Sequence, residues 1–588
     1  MRTMRTVLAA VLVIAIISSG SFALSPVAAA PPQNTKLLEW PVPTGSAGLT
    51  GISEDSSGRI WFTESLQSKL GMLNPVVNEI YEWNGVSADS RNIVTGRAGA
   101  FGGSSNRIYF AENTASRIAF LDNVTGHLNY LTEFAGFAGT NPVSVAIDNS
   151  GNIWFTESGN PGYIGELSGI TTPTSNSATA QLNEWKLPAF SGGSFSGSDC
   201  DCQPWGIYVN QTSVSSYSSP DTYVWFTENT GGTNGYGAIG RLQVSTNILT
   251  MWDLGASPLS GNHGPTDITV EPSGNVYWAN SAGNTLSFLP NGQVAYKEYA
   301  LATSSAIPLS PFPDQARQAV WAIEKTGNNI LYLDTNAITN NGLPPSAEQC
   351  TIGTPAIGQP AQCPSASSTS KSVTSASQHP LSSRTVTPVN PTITPSLGNP
   401  TGPTNGLYEY DLPSASAGPS SLFLDANENL WITESSNTAN RIAEFQFPAD
   451  FSLQLTSSPQ LAVAQGGTAA FLISVTPVSG SQSQVSLSVN APSGVSASFS
   501  NYLGTPPFTS TLTISTSGST TPSIYAMTIT GTSSSATHSL SVTLTVTSTL
   551  TQSVTATTTT SEFQTSVLPL LAGALLTISL AVQKRRKR

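Results

Sequence analysis

Seven short stretches of this chain end in a side chain of the kind used for acid–base or metal chemistry, or in its amide counterpart. Trp61-Phe62-Thr63-Glu64, Tyr109-Phe110-Ala111-Glu112, Trp154-Phe155-Thr156-Glu157 and Trp225-Phe226-Thr227-Glu228 share one pattern. It weakens to Tyr277-Trp278-Ala279-Asn280 and Trp321-Ala322-Ile323-Glu324, then returns as Trp431-Ile432-Thr433-Glu434. Six carboxylates at equivalent places could gather into a ring and hold a hard cation such as Mg²⁺ or Ca²⁺, which oxygen ligands suit. The competing reading is that a residue repeated in nearly every copy serves the repeat, accepting hydrogen bonds from its neighbours. Because a metal takes few ligands, that second reading is the stronger one. A general base is the other ingredient to look for, and the chain has four histidines, His127, His263, His379 and His538.

The elements that would position these groups follow from the spacing. Most successive copies lie 44 to 52 residues apart, with a modest insertion before the fourth and a large one before the seventh. Around each copy the same frame recurs. An apolar strand such as Val143 to Ile147 ends in an Asp148-Asn149-Ser150-Gly151-Asn152 turn, and the aromatic strand follows. A third strand carries an Ile-Gly or Ile-Ala step (Ile164-Gly165, Ile239-Gly240, Ile442-Ala443), and a fourth reads like Leu182 to Pro188. Four short strands in about 45 residues form one blade, which must stack on its neighbours to bury both faces. The seventh repeat lacks its fourth strand. Leu37 to Pro43 resembles Glu184 to Pro188, so the N-terminal segment is expected to complete that blade and remove two open edges. The fold class is therefore all-β, a seven-bladed β-propeller over 36–448 closed by an N-terminal strand. In such a ring His263, just before the first strand of the fifth blade, faces the same mouth as the motif carboxylates. It is the candidate catalytic base, with Glu228 and Glu324 of the flanking blades as candidate metal ligands; the plainer reading is a loop histidine.

Residues 340–403 interrupt the sixth blade with Ser, Thr, Pro and Gln and read as a long, mostly disordered excursion. Residues 452–548 change to alternating runs such as Ala469 to Val475 and Leu540 to Val546, the pattern of a small immunoglobulin-like β-sandwich. A Thr/Ser-rich stalk (549–565) follows. Val567 to Val582 is apolar and precedes Lys584 to Arg588, the order of a membrane anchor (567–583) with a basic cytoplasmic tail. Residues 1–30 combine Arg2 and Arg5, an apolar run and Ala28-Ala29-Ala30, a secretory signal peptide. The chain is thus expected on the extracellular face of a membrane, with a single C-terminal span. Its cysteines point to a Cys350–Cys363 disulfide, while Cys200 and Cys202 are too close for a relaxed bridge to each other. Asn123 and Asn210 head Asn-x-Thr glycosylation sequons. A net charge of −12 with no basic patch in the body of the chain argues against a nucleic-acid partner.

At the Trp-Phe-Thr-Glu copies, and in the run Gly151 to Glu157, the chain resembles the streptogramin (virginiamycin) B lyase family over roughly 36–448. The resemblance implies a seven-bladed propeller, and an activity that opens cyclic depsipeptides by elimination with a divalent metal, His and Glu near one mouth. The family's Pro-His-Gly-Ile-like segment corresponds here to Pro204-Trp205-Gly206-Ile207, with Trp where His stands, and no His follows a carboxylate at the family's spacing. Two functions stay open on these residues: a surface-displayed propeller that binds a small molecule or extracellular partner at the channel mouth, and a metal-dependent lyase.

Overall fold

A computed structural model describes residue 32 and residues 35–548, apart from residues 88, 96–106, 123–130, 172–176, 192–193, 200–202, 213–220, 231–234, 257–258, 260, 294, 336–345, 353–358, 380, 395–399, 405, 426 and 480–483. The signal peptide, Asn123, His127, Cys200, Cys202, and the stalk and anchor at 549–588 lie outside the described residues, as does the side chain of His379.

Every element is a strand. The first repeat sheet comprises Leu49–Glu54, Ile60–Glu64, Lys69–Asn74 and Glu79–Asn84, paired antiparallel in that order. The third (Pro142–Ile147, Ile153–Glu157, Tyr163–Ser168, Thr179–Lys186), the fourth (Pro204–Thr212, Asp221–Glu228, Ala238–Gln243, Ile248–Asp253) and the fifth (Pro265–Val270, Val276–Asn280, Thr285–Leu289, Lys297–Ala300) repeat it. The second sheet runs from Ser90–Thr95 to Leu131–Phe134. The sixth takes its fourth strand, Leu407–Asp411, from beyond the insertion. The seventh (Pro419–Leu424, Leu430–Glu434, Arg441–Gln446) takes its fourth from the start of the chain, Lys36–Pro41, which pairs with Arg441–Gln446 from Lys36↔Gln446 to Pro41↔Arg441. First strands touch in cyclic order, and that of the seventh sheet meets Leu49–Glu54 of the first. The arrangement is an all-β, propeller-like ring.

The motif explains why each sheet forms. Its Trp indole donates to the aspartate of the preceding turn: Trp61 to Asp55, Trp154 to Asp148, Trp321 to Asp314 and Trp431 to Asp425, at 2.9 to 3.1 Å. The other oxygen of Asp55, Asp148 and Asp425 accepts two backbone N–H groups of the same turn, so one carboxylate fixes turn and strand together. The Phe ring lies across the third strand, where Gly71, Gly165 and Gly240 leave room. A Cβ there would sit 2.0 to 2.2 Å from the rings of Phe62, Phe155 and Phe226. The Thr hydroxyl clips one sheet to the next: Thr156 donates to Trp205 O and Thr227 to Thr266 O, both at 2.7 Å. Cores sit between neighbouring sheets, as where Trp40, Phe423, Trp431 and Ile442 of the seventh pack on Ile52, Ile60, Phe62 and Leu73 of the first.

The insertion departs from the expectation of disorder. Its strands add a fifth member to sheet after sheet, running backwards around the ring. Ser346–Thr351 pairs with the fourth sheet, Ser367–Thr374 with the third, Ser377–His379 with the second, Ser382–Pro388 with the first and Thr392–Thr394 with the seventh. Thr401–Thr404 then reaches the sixth. A Ser/Thr segment needs no core of its own when its backbone satisfies the open edge of an existing sheet. Cys350 and Cys363 are joined by a disulfide at the start of this belt.

After the ring, two sheets face each other. One contains Asp450–Leu455, Thr468–Ser479, Phe508–Thr516 and Val495–Phe499. The other is built on Val485–Val489, Ser523–Thr532 and Thr537–Thr547, with Gln460–Ala464 parallel to Thr537–Thr547. Phe471, Ile473, Leu512, Ile529 and Leu544 fill the space between them. No helix among the described residues is long and apolar enough to cross a membrane.

Candidate functional site

Each motif glutamate closes its strand at the end of the aromatic run, and the fourth strand carries a second glutamate just before an aromatic residue. These are Glu82-Trp83, Glu133-Phe134, Glu184-Trp185, Glu298-Tyr299, Glu409-Tyr410 and Glu39-Trp40; the fourth sheet has Met251-Trp252. The register places this position opposite the third-strand Gly or Ala in four of the sheets, as in Gly71↔Glu82, Ala119↔Glu133, Gly165↔Glu184 and Ala443↔Glu39. The two carboxyls of a sheet therefore face one another beneath its surface.

Glu64, Glu112, Glu157, Glu228, Glu324 and Glu434 are all fully buried. Burial, reinforced by the neighbouring Glu82, Glu133 and Glu39, pushes Glu64, Glu112 and Glu434 up to about 8. Burial and Glu409 push Glu324 up to about 7. Burial and Glu184 hold Glu157 well above the usual carboxylate range, and burial alone takes Glu228 to about 8. Burial also acts on Glu133, but hydrogen bonds from Ser377, Glu112 and Arg117 outweigh it and hold Glu133 below the ordinary value. Like charges held close together and out of water disfavour ionisation, which is why the motif carboxyls are pushed up.

In five of the sheets the entering connector caps the pair. Backbone N–H groups donate from Thr44 to Glu82, Ser87 to Glu112, Ala138 to Glu184 and Ala302 to Glu409, and the Ser414 hydroxyl donates to Glu39. The belt adds Lys371 Nζ, 3.4 Å from Glu184, and the hydroxyl of Ser377 to Glu133. The motif glutamates are buried within their own sheets, and all but Glu228 lie near a fourth-strand glutamate that the repeat pattern had not singled out. The glutamate before the fourth-strand aromatic residue, repeated in six of seven copies, was the signal available.

His263 is buried as well. It lies in the connector entering the fifth sheet, with Nδ1 2.9 Å from Glu298 Oε1, off the axis of a hydrogen bond, and Nε2 3.2 Å from the Tyr296 hydroxyl. The Tyr296 hydroxyl in turn donates to Leu254 O. In this sheet Asn280 replaces the motif glutamate and donates to Thr285 and Ser287, and Thr285 donates to Glu298. An imidazole and a hydroxyl thus meet Glu298, and an amide stands where the other sheets carry the motif glutamate.

The metal expectation does not fit these residues. Glu228 and Glu324 belong to the fourth and sixth sheets, each buried within its own. Among the described residues no three His, Cys, Asp or Glu side chains gather as a metal site would require. Asn210 lies in Pro204–Thr212, paired with Tyr223.

Neither a protein-family model nor a curated protein matches the sequence. Among solved structures, the chain is similar to selenomethionine-substituted virginiamycin B lyase from Staphylococcus aureus, at 18% identity over 70% of this chain and 99% of that one, with a TM-score of 0.44. A catalytically inactive variant of the same lyase with quinupristin gives the same values. A streptogramin B lyase follows at 17% identity, covering 71% of this chain and all of that one, with a TM-score of 0.32. What this chain does has to be read from its own residues.

Proposed function

We propose that this chain is an exported, surface-held, seven-bladed β-propeller that binds an extracellular ligand rather than transforming one. On this reading the ring is carried on an immunoglobulin-like spacer, a Thr/Ser-rich stalk and a C-terminal membrane anchor. One observation carries the choice of binding over catalysis. In the copy from Trp154 to Glu157 the first three positions have partners inside the ring, the indole on Asp148, the Phe ring on Gly165 and the hydroxyl on Trp205 of the next sheet, and the carboxyl is sealed beside Glu184. A general base must reach the proton it abstracts, and His263 is sealed beneath the fifth sheet.

The experiment is incubation of the full-length protein with a streptogramin B, with and without Mg²⁺ or Ca²⁺, followed by mass spectrometry. Intact antibiotic throughout is expected. Metal-dependent appearance of the linearised product overturns the binding reading and restores the lyase.

A further inference from the structure

The fourth and fifth sheets break the repeat at three places, and all three fall on one cleft. Where the sequence of sheets is regular, the fourth-strand indole is capped by the next sheet. Trp40 Nε1 donates to Asn78 and Trp185 Nε1 to Asn247, both at 2.9 Å. Asn78 and Asn247 occupy the left-handed position of the turn between third and fourth strands, with φ of 55° and 54°. In the fifth sheet that position is Gly292, φ 71°, which has no side chain to offer. Trp252 Nε1 is therefore buried with no acceptor.

The second break is Arg241, which stands across the strand pair from Trp225, where the other sheets place Met72, Phe120, Glu166 or Tyr332. Its guanidinium lies 5.2 to 5.6 Å from the rings of Tyr223, Trp225 and Trp252. Its Nε is sealed from solvent without an acceptor, and no described carboxylate comes within ion-pair distance. By contrast Arg59, Arg91, Arg117, Arg317 and Arg441 each meet an Asp or Glu. The third break is the cavity of about 550 Å³ that these changes leave, lined by Arg241, Trp252, Gln293 and Gln349 among others. Glu348 also lines it, but its carboxylate accepts the Phe195 N–H at 2.9 Å.

We infer that this cleft is a binding site for a carboxylated sugar of the uronic-acid class. A planar carboxylate is the group that a guanidinium with a free donor edge recognises best, and burial makes each such hydrogen bond stronger. The indole N–H supplies a further donor. Side-chain amides, which donate and accept at once, suit hydroxyls better than they suit a bare anion. The volume is that of a small-ligand site rather than a peptide groove. The inference rests on the binding reading above and names its ligand; it stands or falls on different data, since turnover of an antibiotic is not among its readouts.

The test is isothermal titration calorimetry of the full-length protein with glucuronate, glucose and glutarate. Saturable binding of glucuronate, at least about tenfold tighter than either control, is expected, the size of one charge-assisted hydrogen bond. Gly292→Asn should return the acceptor that Asn78 and Asn247 supply and fill the cleft. Binding should fall at least about tenfold while the melting temperature holds or rises. Arg241→Met should also abolish preference for the carboxylate. Absence of glucuronate binding, equal binding of glucose, equal binding of glutarate, or unchanged affinity in a folded Gly292→Asn protein would each overturn the assignment.

Discussion

At the scale of single residues, the motif glutamate shows how a repeated acidic residue is built into a fold. Glu64 and Glu82 lie close together beneath the first sheet, burial and the Glu82 charge push Glu64 up to about 8, and Thr44 N–H donates to Glu82. Glutamine at position 64 cannot ionise but can still donate to Glu82. Glu64→Gln should change stability at pH 6 by no more than about 1 kcal/mol. It should also flatten the loss of stability between about pH 5 and 8, as chemical denaturation at several pH values would show. A variant as alkali-sensitive as the parent would contradict the paired arrangement. His263→Ala is expected to act on stability. It leaves Glu298 without its imidazole neighbour and opens a void, a loss of about 2–4 kcal/mol by urea unfolding. A variant that unfolds like the parent would return His263 to the role of an idle or catalytic loop residue. From the sequence alone, His263 stood out for its isolation in Gly261 to Pro265. Its partner did not, because Glu298 lies 35 residues further on and only the register of the fifth sheet brings them together.

At the scale of elements, the belt and the closing strand both cover strand edges, and they meet in the seventh sheet, where Thr392–Thr394 pairs with Lys36–Pro41. Lys36–Pro41 supplies the last strand of the seventh sheet, and Trp40 stacks on Trp431 at 5.5 Å. Deleting residues 31–43 should expose that edge and uncover the core between the seventh and first sheets. A fall in melting temperature of on the order of 10 °C is expected, and an unchanged melting curve would refute the closure. Deleting 342–402 and rejoining the ends removes five added strands in full and part of the sixth. It should also lower the melting temperature and promote association through freed edges, measurable by light scattering. A monomeric deletion variant with the parent's melting curve would show the belt to be dispensable. The closing strand was legible because Glu39-Trp40-Pro41 copies Glu184 to Pro188 in residues that pack. The belt was not. Ser367–Thr374 is exposed along nearly its whole length, so it carries no alternation of apolar and polar residues to read. Its strand character comes from backbone hydrogen bonds to Thr179–Lys186, some 190 residues earlier.

At the scale of the whole molecule, the carboxyl pairs add into one property. Glu64, Glu112, Glu228 and Glu434 are pushed up to about 8 and Glu324 to about 7, against an ordinary value of 4.5. Between those limits the folded chain holds protons that the unfolded chain has released. The stability these groups contribute is therefore complete below about pH 4.5 and is lost as pH rises through 7 to 8. Glu133 works in the opposite sense: held below its ordinary value, it stabilises above that value and loses its contribution in acid. Five groups acting one way outweigh one acting the other. The net charge of −12 at pH 7 adds self-repulsion that grows with alkalinity as the buried carboxyls ionise. The ring should thus be most stable in mildly acidic solution, with a melting temperature that declines from about pH 5 to about pH 8. Scanning calorimetry across that range at fixed ionic strength measures it directly. A melting temperature that is flat or rises over that range would mean that the buried motif carboxyls are ionised in the folded state, and that some cation or unseen donor compensates their charge.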